Sequence, residues 1–505
     1  MITRRAAMSS LAAGSLAAQP RREGRKPNLL FLIADDHAGY VLGCQGNRMA
    51  ETPHLDELAA QGTRFSRHFC NQPVCTPSRQ SLLTGQMPSS AGVTVLQTPL
   101  GEDKPTLAKQ LKSAGYQTAV IGKMHFNRPG RPGLHGFDMC MTEDVLNRAW
   151  QQRKAARTVP ESTRTKPPWK PFRDPARIWL NAESLPYPRY EADMRSVYQT
   201  QQACDYLEQN RDKQFALWVS FQEPHSPYDF PVEDTGHFDP KRFQAPRIGP
   251  EDAWQIPIIF RGLSVEERQG IAASYYTSVR YLDRNVGRVV AKLRELNLEE
   301  DTLVVYLADH GYCLGQHGRF EKHCGYDPAM HVPLIIRFPG RARQGVVRDM
   351  TEHIDVTPTI LDLLGVEAMP VMHGRSLRPY LEARRIAARD HVVSQYLENE
   401  EAFARTERWK YIYCSGRRKR SDGYLIDNPT PGRYQRLYDL KADAGEFTDA
   451  ASRNPKVVRQ MQDLILKRYR ATHPEAGAEP PGASREDVLD FYIRPRDARP
   501  AQGAG

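Results

Sequence analysis

The sequence of 505 residues lacks several features that would indicate other classes of protein. It contains no apolar run of about 18 residues, the length that a membrane-spanning helix requires, so we expect no membrane span. It also contains no zinc-finger spacing, P-loop, RNA-binding motif or internal repeat, and we therefore expect no nucleic-acid partner despite a formal net charge of +10. Hydrophobic residues make up 40% and charged residues 26%, which is typical of a globular protein.

Cysteine is also scarce. The 8 cysteines include no CxxC pair and no zinc-ligand spacing. If Cys75 is set aside, an odd number of cysteines remains, so at least one thiol has no partner within the chain. The sequence therefore does not predict a dense disulfide framework.

The first 20 residues have the pattern of an export signal, predicted over 1–20. Arg4 and Arg5 precede a weakly apolar, alanine-rich stretch, and small residues stand at Ala17 and Ala18. The paired arginines favour the twin-arginine type, although Ala7 stands where a large apolar residue is usual. We expect a periplasmic or secreted bacterial protein; the alternative is an ordinary basic N-terminus.

One stretch, CTPSRQSLLTG at 75–85, carries most of the functional information. Pro77 is suited to the first turn of a helix, so Cys75 is expected at a helix N-terminus. The free N–H groups there favour an anionic substrate, and Arg79 adds a cation one turn further on.

Four apolar segments predict buried parallel strands, at 28–34, 116–122, 215–221 and 302–308. Polar residues follow each of them. Because the carboxyl ends of parallel strands meet at one edge of a sheet, these residues are expected to converge on one site. They are Asp35 and Asp36, Lys123 and His125, His225, and Asp309 and His310.

Three segments together resemble the sulfatase family. The 75–85 stretch resembles the signature C-x-P-S-R-x-x-x-L-T-G without a departure, GYQTAVIGKMH resembles the second family signature, and DHGYCLGQHGRFEK resembles a later segment that ends here in Lys322. The resemblance runs from about residue 27 to the terminal helix. The sequence resembles the formylglycine-dependent type I sulfatases, such as arylsulfatases and iduronate-2-sulfatase, of the alkaline-phosphatase-like superfamily.

The resemblance implies an α/β fold with a large mixed, mostly parallel sheet between helices, over 25–385. A smaller C-terminal antiparallel sheet with one helix is expected over 386–475. A tail rich in Pro, Ala and Gly follows over 476–505 and is expected to be flexible, with docking of its VLDFYI segment as the alternative. Poor periodicity predicts loop insertions at about 126–200 and 226–255. The first either holds a sulfated sugar or forms a solvated cover, and the second is expected to be a further cover loop.

The resemblance also implies the chemistry: hydrolysis of a sulfate ester, on a sulfated carbohydrate, with release of inorganic sulfate. A formylglycine-generating enzyme would convert Cys75 to formylglycine, whose hydrate is the nucleophile. Arg79, Lys123 and Lys322 would neutralise sulfate oxygens. His225 or Lys322 would protonate the leaving alcohol, and His125 would help release sulfate.

The implied metal is calcium, with magnesium or manganese as alternatives and zinc disfavoured by the few nitrogen and sulfur ligands. His310 stands where many sulfatases carry asparagine, and it matches the iduronate-2-sulfatase branch. The ligands implied are Asp35, Asp36, Cys75, Asp309 and His310.

Two other functions remain open. A phosphonate monoester or phosphodiester hydrolase would share the scaffold and the formylglycine. A sulfated-glycan-binding protein without catalysis would keep the fold, although every position proposed for catalysis holds a chemically competent residue.

Overall fold

The computed structural model describes residues 26–153, 157–160, 189–249, 252, 255–384, 386–417 and 432–497. The predicted export signal at 1–20 lies outside these residues. The strands, in chain order, are β1 (Asn28–Asp35), β2 (Thr63–Phe65), β3 (His68–Phe69), β4 (Gln117–Gly122), β5 (Met139–Met141), β6 (Phe215–Pro224), β7 (Thr302–Ala308), β8 (His331–Val332), β9 (Leu334–Arg337), β10 (Gly345–Val347), β11 (Thr351–Glu352), β12 (His391–Tyr396), β13 (Glu401–Thr406), β14 (Trp409–Cys414) and β15 (Tyr434–Asp439).

The described α-helices follow the same order. They are α1 (Pro53–Ala60), α2 (Cys75–Thr84), α3 (Pro88–Ala91), α4 (Leu107–Ser113), α5 (Glu143–Gln151), α6 (Arg195–Gln209), α7 (Ile258–Arg261), α8 (Val265–Glu295), α9 (Asp327–Met330), α10 (Val356–Leu364), α11 (Arg378–Leu381), α12 (Pro455–Thr472) and α13 (Arg485–Ile493).

The central sheet has eight strands in the order β10-β2-β9-β7-β1-β6-β4-β5. Strand β1 runs parallel to both β6 and β7, and β4 runs parallel to β5 and β6. Strand β9 runs antiparallel to β2 and β7. The sheet is therefore mixed and mostly parallel, which confirms the predicted fold.

Helices cover both faces of this sheet, which explains why its central strands are apolar throughout rather than alternating. All eight residues of β1 are buried. Leu30 and Leu32 belong to a core with residues of α6 and α8, whereas Leu29 and Phe31 belong to a second core with residues of α2, α4 and α10. The long helix α8 begins with a capping box formed by Ser264 and Glu267.

A small antiparallel sheet follows, with strand order β12-β13-β14-β15, and α12 packs on it. The prediction of a flexible tail over 476–505 is wrong for the described part, 476–497. Helix α13 lies there, with Leu489 and Tyr492 fully buried and Tyr492 stacked on Tyr469 at 5.3 Å between ring centroids. The 476–497 segment is rich in Pro, Ala and Gly, but the apolar residues of α13 form one buried face of the helix.

The two predicted insertions differ in the structure. Within 126–200, β5 joins the edge of the central sheet and α5 follows it, because Cys140 and Leu146 supply buried contacts; this part is therefore regular, contrary to the prediction. Residues 161–188, which hold most of the proline and aromatic side chains, lie outside the described residues. In the described part of the 226–255 segment the regular structure is confined to two 3-10 turns, Val232–Asp234 and Pro240–Arg242, and Tyr228, Phe230 and Phe238 pack in one cluster with residues of α8.

No helix among the described residues is both long enough and apolar enough to cross a membrane.

Candidate active site

Four neighbouring parallel strands, β7, β1, β6 and β4, end at one edge of the central sheet. Asp35 is the last residue of β1 and Asp36 follows it; Asp309 follows β7 closely, Lys123 follows β4, and His225 follows β6. The structure thus brings the predicted polar residues to a single edge. Sequence alone could not give the strand order that makes these four neighbours.

Cys75 lies at the first position of α2, above this edge, and is 2% exposed. The helix has no side-chain cap, so its first N–H groups face the site. The Cys75 Sγ atom lies 3.5 Å from Asp35 Oδ1 and 3.2 Å from His310 Nε2. Burial, reinforced by the charge of Asp35, raises the pKa of the Cys75 thiol.

Arg79 lies one turn along α2 and its side chain is fully buried. Its Nε donates to Asp309 Oδ2 at 2.8 Å, and its Nη2 lies 3.3 Å from Asp35 Oδ2. Its Nη1 donates to Lys123 O at 2.5 Å and to Ser220 Oγ at 2.7 Å. This guanidinium therefore joins the ends of three strands and is held in one orientation.

Two lysines complete the cationic side of the site. Lys123 Nζ forms an ion pair with Asp35 Oδ2. Lys322, carried by the long loop after β7, donates to Asp36 Oδ1 and Oδ2 at 2.9 and 3.0 Å. Burial alone would raise the pKa of Asp35, but Lys123 and Arg79 outweigh it and hold that pKa well below its ordinary value.

The acidic side chains form a cluster suited to a divalent cation. His310 Nδ1 lies 3.1 Å from Asp36 Oδ1, and His310 Nε2 lies 3.6 Å from Asp309 Oδ2. Potential ligand atoms lie within 4.8 Å of one another in each of two overlapping sets, which are Asp35, Asp36, Cys75 and His225, and Asp35, Cys75, Asp309 and His310. Each set offers two carboxylates, a thiol and an imidazole, so these residues could hold a metal ion.

The two further histidines occupy different positions. His225 Nε2 lies 3.9 Å from Asp36 Oδ2, and its Nδ1 lies 2.6 Å from Ser226 O. His125 has a positive φ of 53° and lies beside Lys123. Burial, helped by the charge of Lys123, lowers the pKa of His125 to about 3, so the imidazole is neutral near pH 7.

The structure adds residues that the sequence analysis missed. Glu143, at the start of α5, accepts from the backbone N–H groups of Met124 and His125 at 3.3 and 3.0 Å. Tyr275, on α8, donates its hydroxyl proton to Asp36 O and accepts from Ala38 N at 2.9 Å. No sequence signal marks these two, since Glu143 lies in a segment of poor periodicity and Tyr275 is one of several tyrosines on a helix.

The site thus combines a cysteine at a helix N-terminus with three paired cationic side chains and three carboxylates, an arrangement suited to an anionic ligand. Comparison with known families agrees: the Sulfatase model matches residues 27–366, and the model of the N-sulphoglucosamine sulphohydrolase C-terminal region matches residues 315–471. The chain belongs to the sulfatase family and is a sulfuric ester hydrolase.

Individual relatives extend over most of the chain. Choline-sulfatase of Rhizobium meliloti is 28% identical, covering 89% of this chain and 87% of the relative. N-acetylglucosamine-6-O-sulfatase of Bacteroides thetaiotaomicron is 26% identical, covering 93% and 91%. The solved structure of a phosphonate monoester hydrolase from Silicibacter pomeroyi has a TM-score of 0.71 at 24% identity, covering 90% of this chain and 97% of that one, and it shares the fold.

Proposed function

We propose that this protein hydrolyses a sulfate ester on a sulfated carbohydrate, using formylglycine formed from Cys75 and a bound divalent cation, calcium. One observation carries the proposal. The Cys75 side chain lies at a helix N-terminus without a side-chain cap, 3.5 Å from Asp35 Oδ1 and 3.2 Å from His310 Nε2, and within electrostatic reach of Arg79, Lys123 and Lys322.

The charges around Cys75 suit a sulfate monoester. Three carboxylates, of Asp35, Asp36 and Asp309, are matched by three cationic side chains. A calcium ion held by Asp35, Asp36, Asp309 and His310 would supply net positive charge for the sulfate oxygens. Because the cations are locked by ion pairs, they need no reorganisation when charge develops on the ester.

Formylglycine at position 75 would supply a hydrated aldehyde as the nucleophile. Arg79 cannot move away from this position because it is tied to three strand ends, so it orients the group. Lys322 and His225 both lie against Asp36, and we assign to one of them the transfer of a proton to the leaving alcohol. His125, neutral and adjacent to Lys123, is the base that assists release of sulfate.

The carbohydrate is inferred from relatives rather than from a bound ligand. The N-acetylglucosamine-6-O-sulfatase relative, which matches over 93% of this chain, supports a sulfated sugar, whereas the choline-sulfatase relative, which matches over 89%, supports a small alcohol sulfate as the main competing substrate. Export through the predicted signal at 1–20 and maturation by a formylglycine-generating enzyme belong to the same proposal.

The first test is mass spectrometry of the tryptic peptide 68–79 from protein made in its native host. Conversion of Cys75 is expected to lower the peptide mass by about 18 Da, as an aldehyde replaces a thiol. Cys70, in the same peptide, serves as an internal unmodified reference.

The same sample is assayed with an aryl sulfate, sulfated N-acetylglucosamine, choline sulfate and a phosphonate monoester. Turnover is expected to be fastest with the sulfated sugar, to disappear in Cys75→Ala and to persist in Cys204→Ala. Faster turnover of the phosphonate would favour the phosphonate hydrolase, and turnover of no ester by formylglycine-bearing protein would favour a glycan-binding protein.

A further inference from the structure

Two cysteine thiols face each other in the loop between β7 and α9, which also carries Lys322. The Sγ atoms of Cys313 and Cys324 lie 3.8 Å apart, and the residues are 0% and 5% exposed. Rotation of two such side chains can close this separation to the ~2.05 Å of a disulfide bond. Neither cysteine belongs to the catalytic or metal-ligand sets described above.

Backbone hydrogen bonds already hold the two positions near each other. Cys313 N donates to Glu321 O at 2.8 Å, and Cys324 N donates to Lys322 O at 2.7 Å. Between them, Gly315 N donates to Arg319 O at 2.8 Å, which closes the tip of the loop. The two cysteines are 11 positions apart in the chain, so a covalent link would close a short ring.

That ring contains Lys322, whose ammonium pairs with Asp36 in the site. The loop also begins directly after Asp309 and His310. A link between Cys313 and Cys324 would therefore restrict the segment that carries Lys322 without adding any group to the site itself.

We propose that Cys313 and Cys324 form a structural disulfide when the chain folds in the presence of a disulfide oxidant, such as oxidised glutathione or a disulfide-carrying oxidoreductase. One thiolate attacks the oxidant disulfide, and the second displaces the reduced oxidant from the mixed disulfide. The two cysteines lose two electrons and two protons, and the oxidant becomes two thiols. This inference is independent of the ester chemistry proposed above.

The folded thiols are poorly placed to react with an oxidant from solution. Contact with Cys324, together with burial, raises the pKa of the Cys313 thiol well above its ordinary value, so the reactive thiolate is rare. The bond is therefore formed during folding, before the loop is buried, and the test must include refolding.

The test refolds the full chain in a mixture of oxidised and reduced glutathione, alkylates free thiols with iodoacetamide and digests with trypsin without reductant. Trypsin cuts after Arg319 and Lys322, between the two cysteines. The expected product is peptide 295–319 linked to peptide 323–337, about 2 Da lighter than their sum because two hydrogens are lost. Both peptides alkylated and unlinked, or linked to other cysteines, would overturn the proposal.

A second measurement compares oxidised wild type with Cys313→Ser and a matched control, Cys204→Ser. Dithiothreitol is expected to lower the thermal midpoint of wild type and of the control by about 3 °C, and to leave Cys313→Ser unchanged. An equal response of Cys313→Ser would overturn the proposal. If that variant does not fold, the linked peptide of the wild-type chain decides the question alone.

Discussion

The Lys322 ammonium lies 2.9 and 3.0 Å from the two carboxylate oxygens of Asp36, although the residues are 286 positions apart. Both side chains are buried, so each neutralises a charge that would otherwise be costly in this environment. Asp36 is also a proposed cation ligand, which means that Lys322 and the metal share one carboxylate. We expect substitutions at this contact and at three other buried polar contacts to have measurable effects.

Replacing Lys322 by alanine is expected to lower kcat/KM for an aryl sulfate by about 100-fold or more, because a fixed cation facing the ester is removed. Calcium affinity is expected to rise, since Asp36 loses a competing positive charge. Steady-state kinetics and calcium titration calorimetry measure the two effects. Lys241→Ala, at an exposed position, is the control, and an unchanged kcat/KM for Lys322→Ala would contradict the role.

Tyr275 is expected to position Asp36, which has a positive φ of 66° and is held through its backbone carbonyl. Tyr275→Phe removes the hydroxyl that bonds both Asp36 O and Ala38 N, and calcium affinity is expected to fall about 10-fold. The readout is the calcium dependence of the thermal midpoint. The neighbouring Tyr276→Phe loses only a bond from Asn47 and should match wild type; similar losses in both variants would argue against a specific role.

Glu143 is expected to hold His125 in place through the backbone. Glu143→Ala leaves the N–H groups of Met124 and His125 without their carboxylate, and kcat is expected to fall about 10-fold with little change in KM, as the catalytic group is displaced. Asp144→Ala, at the next position of α5, controls for damage to the helix. Should both variants lose activity equally, the effect belongs to the helix rather than to His125.

Glu352 is expected to govern stability in acid. Burial alone would raise its pKa, but Arg389 and Arg468 outweigh this and lower the pKa to about 2. Because the pKa of the folded state lies below the ordinary value of 4.5, the stabilisation is fully present above about pH 4.5 and is lost as the pH falls towards 2. This contribution is on the order of 3 kcal/mol at neutral pH.

Glu352→Gln is therefore expected to destabilise the protein at pH 7 and to flatten the loss of stability between about pH 5 and pH 3, measured by urea unfolding across this range. Glu382→Gln removes a carboxylate from an exposed pair with Arg378 and should leave the profile unchanged. If the free energy of unfolding of Glu352→Gln falls with pH as it does in the wild type, groups other than Glu352 control acid unfolding.

Much of the site could be predicted because its residues sit beside strong local signals. The apolar runs of β1, β6 and β7 predict strands buried on both faces, and Asp35, His225 and Asp309 stand at or just beyond their ends. Their convergence follows from the parallel arrangement, which the sheet order confirms. The 75–85 stretch likewise predicts a helix with Pro77 in its first turn and Cys75 at its N-terminus, and α2 begins at Cys75.

The local sequence pattern did not predict the segments whose folding depends on contacts with residues far away in the chain. The segment that holds α13 is rich in Pro, Ala and Gly before its VLDFYI stretch, and that stretch is packed because Leu489 and Tyr492 lie against residues of α12. Strand β5 has three residues and is a strand only because β4 offers its edge. Short segments of this kind carry too little periodicity to be recognised alone.

The amino-acid sequence by itself determined the sulfatase resemblance, the mostly parallel α/β fold and the chemistry-bearing residues, since these depend on residue types at fixed spacing. Only the tertiary structure decided which side chains support them. The contacts of Glu143 and Tyr275 join segments that are distant in the chain, and the contact between Cys313 and Cys324 lies across a folded loop. Such contacts depend on how the elements pack, and packing distances are set by the whole core rather than by any local pattern.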